Sequence, residues 1–115
     1  MIVNDDDDIA NLFAAALQSD GFKVDVSDNA ALALEKIKIN PDEYSLILID
    51  RTSQQDLEFP KLVKAISDRM KVILVSAFAF NEAEIARYDY DMILQLPVTM
   101  SKLVTTVRGV LYSDF

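Results

Sequence analysis

Two uninterrupted aliphatic runs, Leu46–Ile49 and Val72–Val75, constrain the fold of this 115-residue chain more than any other feature. Short apolar runs without alternation, rich in β-branched residues, are typical of strands that are covered on both faces. Strands of that kind lie at the centre of a parallel sheet with helices packed on each side. The two runs therefore predict an α/β fold.

Weaker strand patterns and helical patterns alternate along the rest of the chain. Ile2–Val3, Phe22–Val26 and Met92–Gln95 are predicted strands. A helix capped by Asp6 or Asp7 is expected to end near Gly21, and Thr99 is expected to cap the last helix. The remaining helices are predicted from Ser27 or Asp28 to Asn40, around 62–66, and from 81 to 87. The predicted inner face of the first helix consists of Ile9, Leu12, Phe13, Ala16 and Leu17.

Composition excludes several classes of function. The chain has no cysteine and no histidine, so thiolate and imidazole chemistry are unavailable. Its net charge of −8 disfavours nucleic acid and anionic membrane surfaces as partners. No apolar run approaches the roughly 20 residues needed to cross a bilayer. We therefore expect a cytoplasmic protein that binds neither nucleic acid nor membrane.

Polar residues follow the predicted strands at the edge where ligands bind in parallel sheets. Asp5 follows the first strand, Asp50 the third and Ser76 the fourth. Converging carboxylates suit Mg²⁺, and a carboxylate beside that ion can attack phosphorus as a nucleophile. The plainer interpretation is that each is a turn or capping residue, and we favour it for Asp6–Asp8.

The whole chain resembles the receiver domain of two-component response regulators. This resemblance implies a CheY-like, flavodoxin-like (βα)5 fold, a doubly wound five-stranded parallel sheet of order 2-1-3-4-5, with residues 1–115 as a single receiver domain. The segments that carry it are Asn4–Ile9, Leu46–Asp50, Ile73–Ala77, Leu96–Pro97 and Thr99–Met100.

The resemblance also implies roles for individual residues. Asp50 would accept the phosphoryl group, and Ser76 would turn its hydroxyl toward it. Ala77 would leave room for the phosphodonor. Mg²⁺, or Mn²⁺, would be held by Asp5, Asp50 and the Thr52 carbonyl, with Asn4 or Asp6 as a further candidate.

This sequence departs from the family pattern at several positions. The first acid of the family's pair is Asn4, an amide that retains a ligating oxygen but loses a charge. The family's lysine before the proline is Leu96, and its reporter aromatic is Ile93. Arg51 could supply the missing cation or could simply be solvated. Residues 53–58 replace the family's usual loop, and the Leu96–Pro97 bond matches a position that is usually cis.

These observations leave three hypotheses for function. The first is a phosphorylatable receiver, which is no enzyme beyond weak self-phosphorylation from small donors and autodephosphorylation. The second is a pseudo-receiver that binds partners independently of phosphorylation, as the residues at positions 4, 93 and 96 suggest. The third, a flavodoxin-like electron carrier, is disfavoured because the acids of Asp5–Asp8 would repel an anionic cofactor.

The resemblance implies a histidine kinase or phosphotransfer protein as phosphodonor, and a downstream protein target. A homodimer through the face of the fourth helix, fifth strand and fifth helix is a further possibility. The region after the fourth strand is unusually rich in aromatic and aliphatic residues that either form a contact patch or pack onto the sheet. These residues are Phe78, Phe80, Ile85, Tyr88 and Tyr90.

Overall fold

The computed structural model describes residues 1–51, 58–77, 83 and 87–112, with Arg51 described by its backbone alone. The strands are β1 (Ile2–Val3), β2 (Val26–Ser27), β3 (Leu46–Arg51), β4 (Lys71–Ser76) and β5 (Met92–Gln95). The helices are α1 (Asp7–Ser19), α2 (Ala30–Ile39), a 3-10 turn (Pro41–Glu43), α3 (Phe59–Ile66) and α4 (Met100–Tyr112). Residues 83, 87 and 88, between β4 and β5, are also helical.

The strands form one parallel sheet in the order β2-β1-β3-β4-β5. This order confirms the predicted doubly wound topology. Val3 pairs with Ile49, so the chain leaves β1 beside the carboxyl end of β3. Asp50 pairs with Val75 one step further along β3. The sheet therefore brings the residues after β1, β3 and β4 to one edge, as expected of parallel strands.

The central strands are buried on both faces, which explains their continuous apolar sequence. On β3, Ile47 and Ile49 face α2 and α3, whereas Leu46 and Leu48 face α1 and α4. β4 divides its side chains in the same way. Two core clusters result, one on each side of the sheet, and together they fix the position of the edge that carries Asp50.

Helix α1 begins and ends where the sequence indicated. The Asp6 carboxylate is its N-cap and accepts hydrogen bonds from the backbone N–H groups of Asp8 and Ile9. Gly21 follows the helix with a φ of 94°, a backbone conformation that suits glycine. Of the four aspartates, Asp5 therefore lies at the edge of the sheet, whereas Asp6–Asp8 form the cap and first turn of α1.

The predicted inner face of α1 was partly wrong. Ile9 and Leu12 are 38% and 54% exposed, whereas Ala10 and Ala14 lie against the sheet with Phe13 and Leu17. The small alanine side chains allow the helix to approach the sheet closely, and the larger aliphatic residues turn outward.

The second strand is shorter than predicted. Only Val26 and Ser27 are in β2, because its sole neighbour β1 offers Ile2 and Val3 as partners. Phe22 and Val24 are half-buried and pack against the α1–α4 side of the core without joining the sheet. None of the described helices is long and apolar enough to span a membrane.

Candidate functional site at the carboxyl edge of the sheet

Asn4 and Asp50 lie side by side where β1 and β3 end. The Asn4 side chain is 4% exposed, and its Nδ2 donates a hydrogen bond of 3.0 Å to Asp50 Oδ2. At the other end of the same amide, Oδ1 accepts the backbone N–H of Asp6 at 2.9 Å. Both ends of the amide are therefore engaged within the protein.

Sequence reasoning treated Asn4 as a weakened metal ligand and missed this donor role. The signal that could have revealed it was the parallel register of β1 and β3, which places the residues after Val3 and Ile49 next to each other. An amide that faces a carboxylate presents its N–H₂ group as a donor.

The acids after β1 divide into two groups. Asp6 Oδ1 is used in capping α1, with hydrogen bonds of 3.0 and 3.3 Å from the N–H groups of Asp8 and Ile9. Asp5 is exposed at the edge of the sheet. Asp7 and Asp8 are exposed in the first turn of α1, where negative charge is favourable to the helix dipole.

Burial raises the pKa of the half-buried Asp50 carboxyl above its ordinary value. The hydrogen bond from Asn4 lowers this pKa, while the negative charges of Asp5 and Asp6 raise it further. The net direction is upward. The carboxylate therefore lies in a field of uncompensated negative charge, which a divalent cation would relieve.

This charge distribution fits a hard cation such as Mg²⁺, with Asp5 and Asp50 as its carboxylate donors. Among the described residues no group of three or more acidic side chains is arranged to hold a metal. The third expected ligand, the carbonyl of Thr52, lies outside the described residues. Mg²⁺ keeps several waters in most protein sites, so few protein ligands are needed.

The β4 side of the edge is more deeply buried. Ser76 is 0% exposed at the end of β4, and the following residue, Ala77, is exposed. The Ser76 carbonyl accepts the backbone N–H of Leu96 at 2.8 Å, which fixes the chain after β5 against β4. Leu96 precedes Pro97 through a cis peptide bond.

Leu96 packs into the core cluster between α1, α4 and the sheet, together with Val98 and Met100. In the described part of the chain, no lysine or arginine side chain forms a hydrogen bond or ion pair with Asp50. The side chain of Arg51, the candidate replacement cation, is outside the described residues.

Two of the aromatic residues before β5, Tyr88 and Tyr90, are described, and both pack toward the core. Tyr90 is buried, and Tyr88 and Ile93 are half-buried against the α2–α3 side of the sheet. Tyr90 therefore packs onto the sheet and is not part of an exposed patch. Phe78, Phe80 and Ile85 lie outside the described residues.

Similar proteins carry the same architecture. The chain is 30% identical over 117 aligned residues to an NtrX-like response regulator of Rickettsia bellii (strain RML369-C), an alignment that covers 94% of this chain and 23% of the relative. It spans about a quarter of the length of that relative. No protein-family model matches the chain.

Two crystal structures of response-regulator receiver domains superpose closely. The CheY-like domain from Methanospirillum hungatei JF-1 is 24% identical with a TM-score of 0.83, covering 97% of this chain and 91% of that one. The domain from Clostridium thermocellum is 18% identical with a TM-score of 0.85, covering 98% and 93%. This chain has the receiver-domain fold of response regulators. The resemblance inferred from the sequence is confirmed, and in this receiver fold Asp50 lies at the ligand-binding edge.

Proposed function

We propose that the chain is a phosphorylatable receiver in two-component signal transduction, in which Asp50 accepts a phosphoryl group in a Mg²⁺-dependent manner. The observation that carries this proposal is the half-buried Asp50 carboxylate, held by Asn4 at the carboxyl edge of a receiver fold and surrounded by acids. A nucleophilic carboxylate with an adjacent negative field is the arrangement that a metal-assisted phosphoryl transfer requires.

In the proposed reaction an Asp50 carboxylate oxygen forms a bond to phosphorus as the bond between phosphorus and the donor atom breaks. With a phosphohistidine donor, the imidazole nitrogen leaves with the bonding electron pair and takes up a proton. Asp5, Asp50 and the Thr52 carbonyl would hold the metal, which when bound supplies charge stabilisation for the phosphoryl oxygens. Asn4 keeps its bond to the carboxylate in the unphosphorylated state.

Ser76 and Ala77 are proposed to act on the product and the donor respectively. Ser76 is fully buried at the end of β4, next to β3, and its hydroxyl is proposed to donate to a phosphoryl oxygen. Ala77 is exposed and small, which leaves space at the edge for an incoming donor. Leu96 contributes no charge, so the phosphorylated state would lack one charge-assisted hydrogen bond.

Receiver domains are generally signalling modules without an enzymatic activity of their own. The proposed partners are therefore a histidine kinase or phosphotransfer protein as donor and a downstream protein as target, in the cytoplasm. Beyond weak self-phosphorylation and autodephosphorylation we expect no catalysis. A homodimer through β5, α4 and the helical segment before β5 is part of the same proposal.

Exposure to millimolar acetyl phosphate with Mg²⁺, followed by intact-mass spectrometry, tests the proposal. We expect one phosphoryl group on the wild-type chain and none on Asp50→Asn, which keeps the side-chain shape without the nucleophile. Beryllofluoride should perturb the backbone amide signals of residues near Asp50 in the wild type only. An unmodified wild-type chain at millimolar donor would contradict the proposal.

The second candidate function is a pseudo-receiver that binds its partner without phosphorylation. The observation that favours it is the packing of Leu96 into the core, where a cation would otherwise serve the phosphoryl group. The same labelling experiment separates the two, because a pseudo-receiver remains unmodified and binds its target equally well with Asp50→Asn.

A further inference from the structure

Asn4 is held rigidly at the end of β1. Its backbone N–H donates to the Ser27 carbonyl at 3.0 Å, and its side chain bonds to the Asp6 N–H and to the Asp50 carboxylate. Only 4% of the residue is exposed. A side chain with bonds at both ends of a buried amide has little freedom to reorient.

The direction of this amide follows from chemistry. The Asp6 backbone N–H can only donate, so the group facing it must be the oxygen of Asn4. The amide nitrogen then faces Asp50, whose ionised oxygens can only accept. The reversed amide would set N–H₂ against N–H and oxygen against carboxylate oxygen, breaking both bonds.

On the β4–β5 side of the site, Leu96 has no polar side-chain group to offer Asp50. The side chain of Leu96 is apolar and packs into the core. In the described part of the chain, Asn4 is the one residue with a side-chain hydrogen bond to Asp50. Among the described residues, the orientation of the Asp50 carboxylate is therefore set by Asn4, at the end of β1.

We propose that Asn4 is a positioning residue: its amide nitrogen holds the Asp50 carboxylate in place for attack, and its oxygen is not a metal ligand. This inference rests on the proposed phosphoacceptor function. A neutral donor orients the carboxylate without removing the negative charge that attacks phosphorus. The end of the amide that faces Asp50 is the nitrogen, which has no lone pair to offer a metal. The oxygen faces the Asp6 N–H instead, so metal affinity should depend on other oxygens.

Asn4→Ala separates positioning from ligation. At saturating Mg²⁺ we expect the initial rate of labelling by acetyl phosphate to fall about tenfold, because the carboxylate loses its oriented donor. The Mg²⁺ dissociation constant, measured by NMR titration, should stay within about twofold of the wild-type value. A drop in Mg²⁺ affinity of fivefold or more, or an unchanged labelling rate, would overturn the inference.

Asn29→Ala is the matched control. Asn29 caps α2 by accepting the Leu32 N–H at 2.9 Å, is exposed, and has no contact with Asp50. Its truncation removes the same amide and one helix-capping bond, so it controls for a general loss of stability. We expect both the labelling rate and the Mg²⁺ affinity of this variant to match the wild type.

An NMR measurement on chains that retain Asn4 covers the cases in which Asn4→Ala fails to fold or the wild type is not labelled. Without Mg²⁺, the Asn4 side-chain N–H₂ signals should shift upfield in Asp50→Ala, because their hydrogen bond is lost. Unchanged signals would overturn the inference. A clear shift together with an unlabelled wild type would support the hydrogen bond and contradict the phosphoacceptor function alone.

Discussion

The two halves of the carboxyl edge differ in character. On the β1–β3 side, Asn4 and Asp50 form a polar pair that continues into an exposed acidic run. On the β4–β5 side, Ser76 is fully buried and the partly buried Leu96 packs against the core. The groups that we propose accept a phosphoryl group therefore lie on the β1–β3 side. The described residues Ser76 and Leu96, on the side where the resemblance places the response to phosphorylation, are buried or partly buried.

This difference separates two requirements of a phosphorylation switch. Accepting a phosphoryl group needs a nucleophile, an oriented donor and negative charge that attracts a cation, and the β1–β3 half provides the residues for all three. Responding to it needs polar groups that move toward the phosphate. Among the described residues of the β4–β5 half, Ser76 contributes a buried hydroxyl and Leu96 an apolar side chain. We therefore expect phosphorylation of Asp50 to cause only a small structural change in this half.

The largest expected effect tests whether the β4–β5 half is mainly structural. Leu103 on α4 is 0% exposed in the cluster that includes Leu96. Leu103→Ala should lower the free energy of unfolding by about 2–5 kcal/mol, through lost burial and the remaining cavity. Urea denaturation measures this. The counterpart in the other half, Asp5→Ala, should change the free energy of unfolding by less than about 0.5 kcal/mol. If both variants lost the same free energy of unfolding, the two halves would not differ in their contribution to stability.

The next largest effect is expected from a positive charge introduced on the β4–β5 side of the edge. Leu96→Lys should lengthen the lifetime of the phosphorylated form about tenfold, because the ammonium can form a charge-assisted hydrogen bond to a phosphoryl oxygen. The lifetime is measured by intact mass after removal of the phosphodonor. Leu96→Met, which is similar in size and uncharged, is the control. Identical lifetimes for the two variants would show that the lysine does not reach the site.

The smallest expected effect concerns the stability that the folded chain loses when the Asp50 carboxyl is ionised. Because the pKa of Asp50 is raised, mainly by burial, the folded state holds its proton more tightly than the unfolded chain does. Ionisation therefore costs stability as the pH rises through the raised pKa. Asp50→Asn removes that cost and should stabilise the fold at pH 7.

The stabilisation by Asp50→Asn should shrink as the pH falls through the raised pKa of Asp50. It should disappear well below the ordinary aspartate pKa of 3.8, where Asp50 is protonated in both the folded and the unfolded wild type. Thermal unfolding at a series of pH values measures this dependence. Asp68→Asn, at an exposed position after α3, is the control and should show no such gain. If the stabilisation by Asp50→Asn grew as the pH fell, the pKa of Asp50 would be lowered in the folded state, which would contradict the upward shift.

The parallel sheet could be predicted from the sequence because each central strand carries its own apolar signal, whereas the strand order was implied by the resemblance to receiver domains. Two runs are apolar throughout, Leu46–Ile49 and Val72–Val75. Uninterrupted apolar runs of this length are typical of parallel strands that are buried on both faces. The caps of α1 and α4 were also predictable, since Asp6 and Thr99 act on N–H groups two to three residues away. Local hydrogen bonds of this kind depend on sequence alone.

The inner face of α1 and the length of β2 could not be predicted in the same way. Ile9 and Leu12 fit a helical stripe as well as Ala10 and Ala14 do, and the approach of the helix to the sheet decides between them. The length of β2 depends on its neighbour, because a strand extends only where a partner offers free backbone groups. Both outcomes depend on distant residues.

The sequence by itself determined the alternation of strands and helices, the acids at one edge and the position of Asp50, because these follow from local periodicity. Only the tertiary structure decided what Asn4 does. Its role depends on the parallel register of β1 and β3 and on the Asp6 N–H that fixes the direction of the amide. The chemistry of an amide depends on which of its two ends faces the partner, and only the folded chain determines that.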